Sequence, residues 1–285
     1  MAIIVVGLSI GMLIFLLAAG LTLIFGMLQV INFAHGALYM LGAYLAYSVA
    51  MLTGSFWLTL VIVPLMLLVL GLVIERVTLR PIYDADHVYQ VLITFGVVLV
   101  IDEVVRFFWG LSGRQFSPAA FLVGSIDIFG TEVSRYRVFV IVVGAIVMTA
   151  LLLGIEKSRI GLTVKACSVN PDMAAALGIR VERVRMMVFA AGAGLAGFAG
   201  AIAGPMLPIQ LQMGNAILLD CFTVIIIGGL GNIRGAIVAA FVVGMSRAVG
   251  QQWAAEWVDV FTYSLLVLVL LLKPEGLFSK KERTA

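Results

Sequence analysis

Nine apolar segments, at about 3–26, 34–52, 56–74, 88–109, 138–155, 186–204, 216–230, 234–250 and 258–272, divide this chain. Most approach the roughly 20 helical residues needed to cross about 30 Å of hydrocarbon. Water is absent at that depth, so the backbone must satisfy its own polar groups, and a helix does so within one segment. Composition points the same way. Hydrophobic residues make up 63% and charged residues 12%, whereas an ordinary soluble domain carries about 25% charge. The expected fold is an all-α polytopic membrane protein, a compact bundle of 8–9 transmembrane helices forming one domain over residues 1–285. The segment Ala216 to Leu230 is short and runs into Gly228-Gly229-Leu230-Gly231-Asn232. It reads as a half-helix that enters and breaks, which is tolerated where protein or a cavity supplies partners.

One polar island interrupts this pattern, from Glu156 to Arg185, where Lys157, Arg159, Lys165, Arg180, Arg183 and Arg185 surround a short insert, Asn170 to Ile179. Lys and Arg beside membrane spans are retained in the cytoplasm during insertion, so the island is expected there. The tail with Lys273, Lys280, Lys281 and Arg283 is expected on the same side, giving a cytoplasmic C-terminus. The uncharged stretch Pro205 to Asn215 then faces outside. Counting back places Glu75 to His87 inside, Gly110 to Arg137 outside and the N-terminus outside. The first apolar run starts at the extreme N-terminus without a basic leader and is too long for a signal-peptide core, so it reads as a first span. A net charge of +3 gathered in such loops reports topology and contact with anionic lipid, and gives no sign of nucleic-acid binding.

Within the insert, Asn170 is a good N-cap, and Pro171 suits a first helical turn because its missing N–H would be unpaired there. Gly178 supplies the stop. A helix of about two turns results, presenting Met173, Ala176 and Leu177 on one side. Small residues recur at four-residue spacing as Gly192, Ala196, Gly200 and Gly204, as Gly42, Ala46 and Ala50, and as Ala236, Ala240 and Gly244. Such stripes let helix backbones approach closely in lipid.

Polar residues inside apolar segments are the candidates for a solute pathway. Asn32 is placed to cap a helix that starts in or near the membrane, with a neutral His35 on its first turn. These two either hold adjacent helices together or touch solute. Asp220 either serves its own helix or borders the path of a zwitterionic or amide solute. Gly36, Gly228 and Gly229 complete the candidate pathway. Asp102 and Glu103 stand at helical spacing from Arg106 and can pair with it. Cys167 and Cys221 differ too much in surroundings to suggest a disulfide or a metal site, and no metal site is expected.

Three ordered motifs carry a resemblance. Gly20 to Gly26 followed by Asn32-Phe33-Ala34-His35-Gly36-Ala37-Leu38-Tyr39-Met40 closely resembles the first permease subunit of Liv-type branched-chain amino acid ABC importers. Gly161 to Ala166, Asn170-Pro171 and Ala175 to Ile179 are similar to the loop by which such permeases contact their ATPases. Gly228 to Ala236 matches a glycine motif near the C-terminal end. Leu162 and Lys165 stand where family members often carry Arg. The resemblance implies a type II importer-like permease of a bacterial or archaeal inner membrane, with an ATPase-coupling segment at about 156–185. Its contact residues would be Lys165, Asn170, Pro171, Asp172, Met173, Ala176, Leu177, Gly178 and Ile179. It also implies two ABC ATPase subunits, a second non-identical permease and an extracytoplasmic binding protein as partners. Expected solutes are branched-chain or other amino acids, with urea, short amides or aromatic acids as the alternative.

The residues themselves supply no energy source. No Gly-x-x-x-x-Gly-Lys-Ser/Thr phosphate loop occurs in the chain, so ATP is expected to be used by partner subunits, and no cofactor is expected on this one. A secondary transporter or channel, in which His35 and Asp220 relay protons, is the second class. An intramembrane enzyme is the third, and it lacks any Ser/His or metal-ligand spacing.

Overall fold

The computed structural model describes residues 2–83, 85–128 and 130–278. Lys280, Lys281 and Arg283 of the expected cytoplasmic tail lie outside the described residues. Eleven α-helices are present: α1 Ala2–Leu28, α2 Ala34–Thr53, α3 Phe56–Ile74, α4 His87–Trp109, α5 Arg135–Lys157, α6 Arg159–Val169, α7 Pro171–Ala176, α8 Val181–Ala203, α9 Met213–Gly228, α10 Ile233–Trp253 and α11 Val258–Leu272. All nine apolar segments are thus helical. Among the described residues, seven helices are long and apolar enough to cross a membrane: α1, α2, α3 with its continuation to Ile82, α5, α8, α10, and α11 with the turn before it. α4 has 23 residues but includes Asp102, Glu103 and Arg106, and stands outside those seven. α9, at 16 residues, spans about 24 Å. The count beyond seven therefore lies with α4 and α9.

Two elements were not in the sequence reading. β1 Ser125–Ile128 and β2 Thr131–Ser134 form an antiparallel hairpin between α4 and α5, pairing Ser125 with Ser134 and Asp127 with Glu132. Four-residue strands outside the apolar runs leave no periodic signal long enough to read. α3 also continues into a π-helical turn, Glu75–Leu79.

The core is built on α1, α2, α3, α8 and α10, where the small-residue stripes meet. A Cβ at Gly42 would lie 2.7 Å from the Gly197 Cα, and one at Gly244 2.5 Å from the Gly11 Cα. Side chains at these positions would push the backbones apart, so the stripes set the interhelical distance. Large residues such as Phe15, Tyr39, Tyr44 and Phe189 fill the remaining space and are fully buried.

The connections segregate to two ends of the bundle. At one, Arg80 bonds Glu182, Tyr83 lies under the Arg185 guanidinium at 4.9 Å, Arg234 pairs with Glu156 at 2.6 Å, and Asn232 Nδ2 donates to the Phe278 carbonyl at 2.7 Å. This is the island end. At the other, Arg137 donates to Ser9 at 2.9 Å, Tyr136 donates to the Ile202 carbonyl at 2.7 Å, Arg114 pairs with Ile209, and Trp57 stacks on Phe121. This is the hairpin end. The loops expected inside thus share one end, and those expected outside share the other.

Candidate functional site

The island folds as two helices, where the sequence reading saw one. Ser158 caps α6 by accepting from Gly161 N at 3.0 Å. After a break at Asn170, α7 begins with Asn170 Oδ1 accepting from Met173 N at 2.9 Å and Pro171 in the first turn. The helix ends in a Schellman arrangement: Gly178 N donates to the Ala175 carbonyl at 2.9 Å, and Ile179 N to the Ala174 carbonyl at 3.1 Å. Gly178 has φ +85°, a region costly to a residue with a Cβ.

α7 has a seated face and a free one. Ala174 is buried with Met27, Cys167 and Val188, and Ile179, Val181 and Val184 pack around them. Burial holds the Cys167 thiol above the ordinary thiol range, against the opposing pull of Arg185. Both cysteines are free and buried. On the free face, Met173 is 59% and Leu177 76% exposed, with Ala176 exposed beside them. Ile160, Leu162 and Val169 of α6 are exposed as well, amid Lys157, Arg159, Lys165, Arg180 and Arg183. Apolar side chains exposed at the charged end of a membrane bundle form the kind of patch that marks a surface for a protein partner or for the membrane. Lys165 and Asp172 lie on this part of the chain, in α6 and in the first turn of α7.

The candidate pathway residues fall at three places. Asn32, His35 and Gly36 open α2 inside the bundle. Asn32 Oδ1 accepts from Ala34 N at 3.1 Å, and His35 Nε2 donates to the Leu17 carbonyl at 2.9 Å. The hydrogen therefore sits on Nε2, leaving Nδ1 a bare acceptor. Gly20 of α1 lies beside the ring: a Cβ there would lie 3.0 Å from His35 Cε1 and 2.9 Å from the carbonyl oxygen of Gly192, midway along α8. Asn32 and His35 are both wholly buried, and Asn32 Nδ2 and His35 Nδ1 are without partners. Gly36 lies against Gly214 and Leu218 of α9.

Gly228 and Gly229 lie at the island end, where α9 turns into α10. Gly229 has φ +93° and Gly231 φ +75°. Asn232 caps α10, accepting from Gly235 N at 3.2 Å. Leu277 N donates to the Ile227 carbonyl at 2.8 Å, which folds the C-terminal segment beneath this turn.

Asp220 looks the other way. Leu218 packs on Gly36 of α2 and Phe222 on Phe33 just before it, at 5.4 Å between rings, so the residue between them points to the far side of α9. There its Oδ1 accepts from Arg247 of α10 at 2.7 and 3.1 Å, and the same guanidinium reaches Asp259 of α11 at 3.0 Å. The sequence reading missed both partners, although a lone Arg in an apolar segment is a signal in itself. It also missed Glu156–Arg234, because the two stand 78 positions apart. Glu103 and Arg106 do pair, at 3.4 Å. Among the described residues, no three His, Cys, Asp or Glu side chains gather where they could hold a metal ion.

A family profile described as the permease component of the branched-chain amino acid transport system matches residues 3–270. The chain belongs to this permease family. It is similar to the high-affinity branched-chain amino acid transport system permease protein LivH of Salmonella typhimurium, 30% identical over 97% of this chain and 94% of the relative. BraD of Pseudomonas aeruginosa, described in the same words, is 30% identical with the same coverage. LivM of Escherichia coli, also a permease protein of that system, is 23% identical over 94% of this chain and 68% of its own length. No solved structure matches the chain. This permease is therefore a multi-span membrane transport subunit, not an enzyme, and a component of an ABC transport complex.

Proposed function

We propose that this permease carries branched-chain or other amino acids inward by alternating access, driven by two ABC ATPases that dock on α6 and α7. A second, non-identical permease completes the membrane part, an extracytoplasmic binding protein delivers solute at the hairpin end, and the island and the C-terminus lie in the cytoplasm of a bacterial or archaeal cell. The observation that carries this reading is the free apolar face of α7, held on a helix whose opposite face is locked into the bundle by Ala174. The similarity to both LivH and LivM supports a pair of unlike permeases.

The mechanism follows from how the island is tied down. A displacement of α7 passes to α1 and α8 through the cluster of Met27, Ala174 and Val188. Through Glu156–Arg234 it reaches α10, and through Arg80–Glu182 it reaches the end of α3. A rigid knob transmits motion that a flexible loop would absorb, so closure of the ATPases shifts the bundle and changes which end is open. Asn32, His35 and Gly36 act where α2 starts, and Gly228 and Gly229 where α9 meets α10, the points at which helices can slide at modest cost.

Two measurements test this. Uptake by cells is expected to persist with a proton uncoupler and to stop on ATP depletion; the reverse would favour a secondary transporter. Gly178→Asp places a Cβ and a charge at φ +85°, which costs ~1–2 kcal/mol locally and reshapes the docking face. ATPase co-purification and ATP-driven uptake are expected to fall roughly tenfold or more at equal membrane abundance. Unchanged recovery and uptake would remove the docking assignment.

A further inference from the structure

Between α4 and the hairpin the chain crosses the end of the bundle. Arg114 and Ile209, which lies in the α8–α9 connection, exchange two backbone hydrogen bonds of 2.9 Å. The Arg114 guanidinium sits 5.7 Å from the centre of the Tyr47 ring of α2, and its Nη2 donates to the Trp109 carbonyl at 3.0 Å. Two residues on, Phe116 is buried against Gly204 at the end of α8. Residues 111–118 therefore form a strap that runs from α4 over α2 to the link between α8 and α9. Its hold is light. Leu111, Ser112, Gly113, Gln115 and Ser117 are exposed. Gln115, Ser117 and Pro118 face Ser134, Tyr136 and Pro205 across a cavity of about 500 Å³, so that flank is not close-packed. Gly110 precedes the strap at φ +75° and Gly124 follows it at φ +102°. A segment with few buried contacts, set between two residues free to change φ, opens at low cost.

The groups beneath the strap are polar. Arg114 Nε and the Tyr44 hydroxyl are buried without partners, and the Tyr44 ring lies 5.5 Å from that of Trp109. Further along α2 toward its start, the Tyr39 hydroxyl and His35 Nδ1 are buried without partners as well, and His35 bonds Leu17, midway along α1. Polar groups are rarely left unpaired in a protein interior. A series of them leading inward from the strap fits a path whose groups gain partners when the strap lifts. We infer that residues 111–118 are the outer gate of this permease, shut by the Arg114–Ile209 bridge and the seat of Phe116 on Gly204, and opened by release of both. The assignment rests on the importer reading above and names the element that opens the hairpin end.

A reversible staple tests it in the complete transporter, reconstituted in proteoliposomes with its binding protein and radiolabelled leucine as probe. Residues that exchange both backbone hydrogen bonds stand about 5.5 Å apart at Cα, within the ~4.4–6.8 Å that a disulfide spans. Arg114→Cys with Ile209→Cys is expected to cross-link under a mild oxidant, uptake falling in step with the cross-linked fraction and returning on reduction. Ser125→Cys with Ser134→Cys, which staples the neighbouring hairpin through a directly opposed pair, is expected to leave uptake unchanged. Full uptake by the cross-linked strap, or equal loss from the hairpin staple, overturns the gate. Failure of the wild-type complex to take up any amino acid overturns the importer reading instead. Should the strap pair not assemble, Ile209→Cys alone serves, because Ile209 is wholly buried and both native cysteines are buried too. A water-soluble thiol reagent added from the outer side is expected to label it at least about tenfold faster during turnover than at rest, as a minor open state becomes a major one. Equal rates overturn the proposal.

Discussion

Asp220→Ala is expected to be among the most damaging substitutions in this permease, costing about 3 kcal/mol or more. Removing one partner of a buried pair costs about 3–5 kcal/mol because the other charge is left without compensation. Asp220 accepts two of the three hydrogen bonds that Arg247 donates to carboxylates, from a position buried against α10. The remaining contact, to the exposed Asp259, keeps the cost at the lower end of that range. The detergent-solubilised complex should show a markedly lower melting temperature and reduced yield. Asp220→Ala combined with Arg247→Met should regain most of that loss, since an apolar pair of similar volume often replaces a buried ion pair without penalty. A single variant with wild-type melting would show that the pair is not buried in the assembled complex.

Gly235→Ala is the second large effect. Gly235 in the first turn of α10 packs directly on the last residue of α9, so an added methyl group would overlap the Gly228 carbonyl; the reciprocal Cβ at Gly228 would lie 2.5 Å from the Gly235 carbonyl carbon. Backbone cannot rotate aside as a side chain can, so α9 and α10 must separate. The cost is expected at or above the ~3 kcal/mol upper end for overpacking. The damage should spread, because the same turn carries Asn232 bonded to Phe278, Arg234 paired with Glu156, and Gly229 packed under Gly276. Membrane abundance of Gly235→Ala should fall sharply, whereas Gly96→Ala, where nothing lies within 4 Å of an added Cβ, should be neutral. Equal abundance of the two would mean that the α9–α10 contact is looser than described.

Much of the fold was legible because lipid imposes a simple rule: a segment of about 20 apolar residues becomes a helix whatever its neighbours do. The α7 caps were legible too, since Asn170, Pro171 and Gly178 act through their own backbone within a few residues. The hairpin and α6 were not, as both are short and amphiphilic and owe their form to what they rest on. For the candidate pathway, residue type located Asn32, His35 and Asp220, but it could not say which way each side chain points. Asp220 and Phe222 are two positions apart and face different helices.

Local chemistry therefore determined, from the chain alone, a membrane bundle with one cationic island and three motifs of a permease. Tertiary structure decided which distant charges meet: Arg247 with Asp220 and Asp259, and Arg234 with Glu156. Helix formation depends on hydrogen bonds four residues apart, whereas ion pairing depends on the rotation and tilt of helices set by glycine contacts dozens of residues away.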